Sequence, residues 1–151
     1  RLNLFKKSVA KQKLTKKLIQ KYYSERLLVF CGTTAISDSL GISTFHSKST
    51  DVAVKDDFCN GKIPHLAVCK MLNSGVTVTP ISKAIINSFD SNSENLSQQV
   101  ARMMNFEYDN PDKRAEILIV CTTNETEKKF LKSALEFFNP DKIKFKKFEE
   151  L

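Results

Sequence analysis

The stretch LLVFCGTT, residues 27–34, decides the fold. Its first five residues form a continuous apolar run, which is typical of a strand that is covered on both faces of a parallel sheet. A glycine and two threonines then turn the chain, and a short helical stretch is predicted from there to Gly41. A buried strand that leads directly into a helix is the basic unit of an α/β domain.

The same alternation of apolar strands and amphipathic helices continues along the chain. Further strands are predicted at 43–47, 65–71, 83–89 and 115–121, and helices at about 6–24, 51–60, 91–105 and 125–138. Ser91 and Glu94 have the spacing of a capping box for the third of these helices. The alternating segment IKFKKF, at 143–148, predicts an edge strand. The pattern therefore predicts an α/β domain with a mainly parallel sheet and helices on both faces.

Composition excludes several classes of protein. With 41% apolar and 27% charged residues, the chain resembles a soluble globular domain. It contains neither an apolar run of about 18 residues nor a secretory signal, so that a cytoplasmic protein without membrane contact is expected. The four cysteines form no C-x-x-C pair, and the sequence predicts reduced thiols and no metal site. Because the chain opens on Arg1 rather than methionine, we expect it to be a piece of a longer protein.

The net charge of +7 is concentrated in one segment. Residues 1–26 carry nine lysines and arginines against Glu25 alone, whereas the remainder is close to neutral. Such a segment attracts phosphate backbones without reading their sequence, although a solvated lysine-rich helix face would have the same composition. We therefore predict that residues 1–25 form a basic helix or interdomain linker, and that residues 26–151 form the main domain.

Ligands of parallel sheets bind beyond the carboxyl ends of the strands, so the turns that follow the strands are the candidate binding sites. The first two turns offer hydroxyl, imidazole and ammonium groups to phosphate oxygens, from Thr33, Thr34, His46, Ser47 and Lys48. In the third turn, Gly75 permits a close backbone approach and Asn73 can donate to phosphate or ribose. Each turn also has an ordinary interpretation, since glycine, threonine and polar residues are common wherever a strand leads into a helix.

A polar stripe marks the helix at QQVARMMN, residues 98–105. Gln98, Arg102 and Asn105 lie along one line of this helix, opposite an apolar face formed by Leu96, Val100, Met103 and Met104. A core helix needs only the apolar face. An arginine on a rigid helix suits a γ-phosphate, because its guanidinium is always charged and offers a forked set of donors. The alternative is a salt bridge on a solvated face.

Two phosphate-binding motifs are absent from the sequence. It contains no G-x-x-x-x-G-K-[ST] loop and no G-x-G-x-x-G fingerprint. An independent nucleoside triphosphatase or a dehydrogenase is therefore disfavoured, and so is an unrelated Rossmann-like domain that binds a small ligand.

Taken in order, these segments resemble the second, C-terminal RecA-like domain of superfamily II helicases, over about residues 8–135. The resemblance extends to the phage and bacterial group that includes UvsW and Rad25-type enzymes. LLVFCGTT resembles motif IV, FHSK resembles the short motif after it, and FCNGKIPHLAVCKMLNSGVTV resembles motif V with its lead-in. ENLSQQVARMMN resembles motif VI, Q-x-x-G-R-x-x-R, with Gln98 and Arg102 at matching positions. Ala101 replaces the glycine, Asn105 stands at the second arginine, and Thr77 stands where many relatives carry an aspartate.

The resemblance implies a three-layer RecA-like (P-loop NTPase-like) fold and a motor function. This chain would be the C-terminal motor domain of an ATP-dependent helicase or translocase acting on DNA, or alternatively on RNA. The N-terminal RecA-like domain of the same protein would hold most of the ATP and Mg²⁺, so this domain would not hydrolyse ATP alone. The arginine expected at position 105 is missing, which puts ordinary hydrolysis in doubt. A degenerate, non-catalytic module for nucleic-acid binding or assembly is therefore the alternative.

The resemblance also implies roles for individual residues. Arg102 and Gln98 would be catalytic. Contacts to the nucleotide would come from Gly75, Asn73, Arg102 and Asn105. Contacts to the nucleic acid would come from Thr33, Thr34, His46, Ser47, Lys48 and Lys70.

Overall fold

The computed structural model describes residues 8–49, 51–69, 81–89, 91–103, 115–147 and 149, with the backbone alone at 93 and 101–103. The helices in these ranges are α1 (Val9–Lys21), α2 (Thr34–Ser39), α3 (Val52–Cys59), α4 (Ser93–Met103) and α5 (Glu125–Ala134). The strands are β1 (Leu27–Phe30), β2 (Ser43–Phe45), β3 (His65–Val68), β4 (Lys83–Ile86) and β5 (Glu116–Ile119). A 3₁₀ turn, Pro140–Lys142, follows α5.

The five strands form one parallel sheet in the order β2-β3-β1-β4-β5. The central strand β1 is buried along its whole length, as its continuous apolar run predicts. The last residues of all five strands lie side by side across the sheet. Phe30 of β1 pairs with Val68 of β3 and with Ile86 of β4. Val68 also pairs with Phe45 of β2, and Ile86 with Ile119 of β5. The predicted parallel α/β architecture is confirmed.

The side chains of successive β1 residues pack on opposite faces of the sheet and belong to two different core clusters. Leu28 and Phe30 belong to one apolar cluster, in which Phe58 of α3, Leu96 of α4 and Ala134 of α5 take part. The neighbours of these residues in β1 belong to a second cluster, which α1 and α2 complete through Leu18, Ile19 and Ile36. The domain therefore has three layers, with α1 and α2 on one face of the sheet and α3, α4 and α5 on the other.

Local sequence explains where most helices begin and end. Side-chain oxygens of Ser8, Thr33, Asp51 and Asn124 accept backbone hydrogen bonds at the starts of α1, α2, α3 and α5. Gly61, with φ 78°, follows the last residues of α3, as the Asn60-Gly61 signal predicts. Gly41 follows α2 with φ 75°, a conformation that L-residues rarely adopt.

The predictions for the start of α4 and for a strand at 143–148 are wrong, and β4, β5 and α5 end two to four residues before their predicted ends. Asn92 rather than Ser91 caps α4, because its Oδ1 accepts the hydrogen bond from the Glu94 N–H at 2.9 Å and the helix starts at Ser93. The predicted edge strand at 143–148 does not form over its described part, 143–147. Alternation alone does not make a strand, since an edge strand also needs a neighbour with which to share backbone hydrogen bonds.

The basic N-terminal helix belongs to the domain core. Its described part, α1, buries Leu18 and Ile19 against the sheet, so the predicted boundary between 25 and 26 does not separate two packing units. The exposure of its side chains does not follow their polarity. Val9 is 63% exposed, whereas Lys11 is only 3% exposed.

The cysteines are unbonded thiols. Cys31 and Cys69 are buried, and Cys59 and Cys121 are half-buried. Burial raises the pKa of Cys31 to about 12 and that of Cys121 to about 11, so both are protonated near neutral pH. Among the helices described, none combines the length and the apolar character that crossing a membrane requires.

Candidate functional site at the carboxyl edge

The carboxyl ends of the strands bring the predicted turns to one edge of the sheet. We call the described residues that follow the strand ends, 31–34, 46–49, 69, 87–89 and 120–124, the carboxyl edge. Because all five strands end side by side across the sheet, these turns start at the same level. The sheet therefore places the first two predicted phosphate-binding turns at the same edge as the connections that lead to α4 and α5.

The turn after β1 is held by its own hydrogen bonds. The Oγ1 atom of Thr33 accepts from the Ile36 N–H at 3.3 Å and caps α2. The hydroxyl proton of Thr33 is not used in that bond and can still be donated to an anion. Thr33 and Thr34 are both half-buried, so each is within reach of a ligand at this edge.

The turn after β2 differs from its prediction in one respect. His46 is only 2% exposed, so the expectation that its imidazole is presented to solvent is wrong. Its Nδ1 accepts the Lys48 N–H at 3.2 Å, which leaves Nε2 to donate to Asp38 Oδ1 at 2.8 Å. His46 therefore ties α2 to this turn, while the side chains of Ser47 and Lys48 remain exposed.

The carboxylate of Asp38 completes this arrangement. The hydrogen bond from His46 holds the pKa of Asp38 below its ordinary value, and Lys48 lowers it further. Asp38 is exposed and charged near neutral pH, so it partly offsets the positive charge of Lys48. This turn consequently offers an exposed cation, a hydroxyl and a nearby anion.

A buried polar layer lies beneath the turns after β4 and β5. The amide of Asn87 donates to Thr15 Oγ1 of α1 at 2.7 Å, and both residues are completely buried. Lys11 Nζ contacts Glu127 Oε1 at 2.5 Å and lies 5.1 Å from the ring centre of Phe89. Helix α1 therefore holds both connections of the carboxyl edge that lead to α4 and α5.

Glu127 is fixed from two sides. Its second carboxylate oxygen accepts hydrogen bonds from the N–H and the hydroxyl of Thr122, at 2.7 and 2.5 Å. Burial alone would raise the pKa of Glu127, but the bonds from Lys11 and Thr122 outweigh it and hold the pKa below the ordinary value. The Glu127 carboxylate is therefore ionised at neutral pH although it is buried.

Sequence reasoning missed this layer. Lys11, Thr15 and Leu18 follow one another at helical spacing, and all three are buried. A lysine and a threonine on the continuation of an apolar stripe could have indicated burial. The partners Asn87 and Glu127 carry no comparable signal in the sequence.

Helix α4 presents the predicted polar stripe in part. Leu96 and Val100 are buried in the core, and Gln98 is exposed, as predicted. Arg102 lies one helical turn beyond Gln98 on the same line of the helix backbone, within the part described by its backbone only. Four predicted site residues lie outside the described residues: Lys70, Asn73, Gly75 and Asn105.

Comparisons with known proteins identify the fold. No protein-family model matches the sequence. No curated protein matches it either. The chain superposes on the C-terminal domain of the DEAD-box protein Dbp5 with a TM-score of 0.65 and 16% identity, covering 88% of this chain and 81% of that one.

Two longer structures are also similar. S. cerevisiae Dbp5 bound to RNA and ADP BeF3 gives a TM-score of 0.65 at 14% identity, with 85% of this chain and 36% of that one covered. The DUF1998 helicase MrfA bound to DNA and AMPPNP gives a TM-score of 0.66 at 11% identity, with 85% of this chain and 20% of that one covered. This chain thus spans well under half of either protein. It has the RecA-like fold that the C-terminal domains of these helicases share.

Proposed function

We propose that this chain is the C-terminal motor domain of an ATP-dependent superfamily II helicase or translocase, in the group that resembles UvsW and Rad25-type enzymes. One observation carries the proposal. The sheet order β2-β3-β1-β4-β5 brings the motif-like turns after β1 and β2 to the same edge as the connection to α4, which bears the motif VI-like stripe. The similar structures of helicase C-terminal domains support the same interpretation.

The proposed nucleotide site lies between this domain and an upstream RecA-like domain. That domain would supply the Walker lysine and hold Mg²⁺, neither of which this sequence provides for. Arg102 would reach across to the γ-phosphate, with Gln98 exposed beside it on α4. Asn73, Gly75 and Asn105 would complete the nucleotide contacts. The similar structures of MrfA and Dbp5 contain AMPPNP and ADP BeF3, which supports the use of ATP by a protein of this fold.

The proposed nucleic-acid site lies at the turns after β1 and β2. Thr33 and Thr34 would donate to the phosphate backbone, and Ser47 and Lys48 would add a hydroxyl and a cation. Lys70 would extend this surface. His46 would act by holding the Lys48 backbone rather than by contacting phosphate, because both of its ring nitrogens are engaged.

The proposed nucleotide site is tested in the protein that contains the native upstream domain. We expect its nucleic-acid-stimulated ATPase rate to fall by about 10³–10⁵-fold in Arg102→Ala, the range for loss of an arginine finger. Lys132→Ala, an exposed change on α5, is the control and should leave the rate unaltered. A normal rate in Arg102→Ala would contradict the role of Arg102.

The proposed nucleic-acid site is tested with this chain alone. Fluorescence anisotropy with an oligonucleotide, at about 50 and about 200 mM salt, should show binding that weakens with salt. Lys48→Ala should weaken it at the lower salt, and Lys132→Ala should have a smaller effect. Absence of binding at both salt concentrations would remove the claim that this domain has its own nucleic-acid site.

Asn105 favours a second candidate, a non-catalytic module that keeps the fold for binding or assembly. The two candidates differ in the ATPase of the protein that contains both domains. If the chain is a motor domain, the unaltered two-domain protein hydrolyses ATP. If it is a degenerate module, the unaltered protein does not hydrolyse ATP. Asn105→Arg should then restore hydrolysis if the missing arginine is the reason for the inactivity.

A further inference from the structure

Residues 140–147, PDKIKFKK, follow α5 and combine positive charge with an exposed aromatic ring; we call them the basic–aromatic segment. Four of the eight residues are lysines, all exposed, against the single acid Asp141. Phe145 stands between Lys144 and Lys146, and it is 78% exposed. No part of the motor function proposed above uses these residues.

The segment starts from a fixed point at the end of the domain opposite to the carboxyl edge. Helix α5 begins beside the end of β5 and runs back along the sheet for ten residues, or about 15 Å. Leu135 and Phe138 then pack against the core, and the side chain of Asn139 caps the 3₁₀ turn through the Asp141 N–H at 3.0 Å. A ligand of this segment would therefore occupy a different surface from a ligand at the turns after β1 and β2.

The exposure of Phe145 contrasts with that of Phe138. Phe138 is half-buried against the core, and removal of this part of its ring from water stabilises the fold. Phe145 makes no such contribution, and the alternating pattern around it forms no strand within 143–147. The segment thus leaves an aromatic face in solvent with cations on both sides of it.

A ring flanked by lysines matches the chemistry of single-stranded nucleic acid. An unpaired base can stack on an aromatic side chain, while neighbouring phosphates contact ammonium groups. A duplex keeps its bases stacked on each other and offers the ring no face. An acidic peptide would satisfy the lysines but would gain nothing comparable from the ring.

We propose that the basic–aromatic segment is a second contact site for single-stranded nucleic acid, in which Phe145 stacks on a base and Lys144, Lys146 and Lys147 contact phosphates. The inference rests on the proposed function in one respect, since it assumes that the protein binds nucleic acid. It places the contact on a surface that the helicase motifs do not include.

The sequence allows a direct optical test. It contains no tryptophan, so Phe145→Trp introduces a single reporter at the proposed contact. We expect titration with an oligothymidylate of about 20 nucleotides to quench this fluorescence, and a duplex of the same length to quench it far less. Unchanged fluorescence at saturating oligonucleotide, or equal quenching by the duplex, would overturn the proposal.

Affinity provides the second measurement. Phe145→Ala should weaken oligothymidylate binding by about 5- to 150-fold, the range for removal of one stacking ring. Phe137→Ala is the matched control, because Phe137 is 72% exposed but is preceded by Glu136 rather than a lysine. Equal affinities for Phe145→Ala and the unaltered chain would refute the inference.

The position of the lysines is tested separately from their total charge. The double variant K144A/K146A should reduce the salt dependence of binding, by about 0.7 in log–log slope for each phosphate that is no longer neutralised. K129A/K132A removes the same charge from exposed positions of α5 and should have a smaller effect. Equal effects of the two pairs would reduce the site to general electrostatic attraction and overturn the proposal. Thermal unfolding of each variant verifies that the fold is retained.

The failure of this inference can be distinguished from failure of the motor proposal. If Lys48→Ala weakens binding but Phe145→Ala does not, the carboxyl edge binds and the basic–aromatic segment does not. The reverse result places binding at the segment alone. Polyglutamate that quenches Phe145→Trp as strongly as the oligonucleotide does would identify an acidic partner and refute the nucleic-acid assignment.

Discussion

The ammonium nitrogen of Lys11 lies 2.5 Å from a carboxylate oxygen of Glu127, and each side chain is only 3% exposed. The pair joins α1 to α5, two helices that belong to opposite layers of the domain. Thr122 binds the other oxygen of the same carboxylate. A buried ion pair therefore connects the basic N-terminal helix to the turn after β5.

Removal of one partner of this pair should be strongly destabilising. Lys11→Met leaves the Glu127 carboxylate buried without its cation, and we expect a decrease of about 3–5 kcal/mol in the free energy of unfolding. Urea denaturation followed by circular dichroism measures it. Lys13→Met, on the exposed face of the same helix, should change stability by less than about 0.5 kcal/mol.

A double variant tests whether the pair acts as a unit. K11M/E127M replaces both charges by apolar groups, and it should be more stable than Lys11→Met alone, since no unpaired charge remains. Additive losses of stability in the two single variants and the double variant would mean that the two side chains do not interact as the structure indicates.

The stability of the domain should fall at acid pH. The pKa of Glu127 is below its ordinary value of 4.5 in the folded chain, so below that value the unfolded state binds more protons than the folded state does. The contribution of Glu127 is therefore complete above about pH 4.5 and is lost as the pH falls through its folded pKa. Urea midpoints between neutral pH and about pH 3 measure the decrease. It should be smaller in Lys11→Met, because Lys11 provides the first of the interactions that lower this pKa.

The buried hydrogen bond between the uncharged side chains of Asn87 and Thr15 should contribute to the stability of the fold. Thr15→Val removes the acceptor at 2.7 Å and leaves the amide of Asn87 without it, which should cost about 1–3 kcal/mol. T15V/N87L removes both polar groups and should recover part of that stability. Thr123→Val, at an exposed position of the turn after β5, serves as the control. Unchanged stability in Thr15→Val would show that the bond is not formed in solution.

His46 and Ser47 are neighbours with opposite expected roles. His46→Ala deprives Asp38 and the Lys48 N–H of their buried partner and should lower stability by about 1–3 kcal/mol. Ser47→Ala changes an exposed hydroxyl and should stay within about 0.5 kcal/mol. Denaturation of both variants under one set of conditions makes the comparison. Unchanged stability in His46→Ala would mean that the hydrogen bonds of His46 with Asp38 and with the Lys48 N–H are not formed in solution.

Patterns that need only neighbouring residues are predictable from the sequence. The apolar run at 27–31 predicts a doubly buried strand, and Asn60-Gly61 predicts the end of a helix, because both depend on a few adjacent side chains and on backbone geometry. The positions of the first two predicted binding turns follow from the parallel arrangement, since ligands of such sheets generally bind at the carboxyl ends of the strands.

The exposure of individual side chains is less predictable. His46 and Lys48 stand two residues apart in a polar stretch, yet one is buried and the other exposed. The difference arises because His46 finds Asp38 on α2 and a backbone N–H within its own turn. The pattern at 143–148 similarly fits a strand but lacks a strand partner within 143–147.

By itself, the sequence determined the layered α/β architecture and the first residues of most strands. It also predicted the edge of the sheet at which ligands would bind. Only the tertiary structure decided that Lys11 is a buried member of the core, that α1 is part of the domain and that Phe145 stays in solvent. The physical reason is that a charged group can be buried only beside a compensating charge. For Lys11 that charge belongs to a residue 116 positions further along the chain.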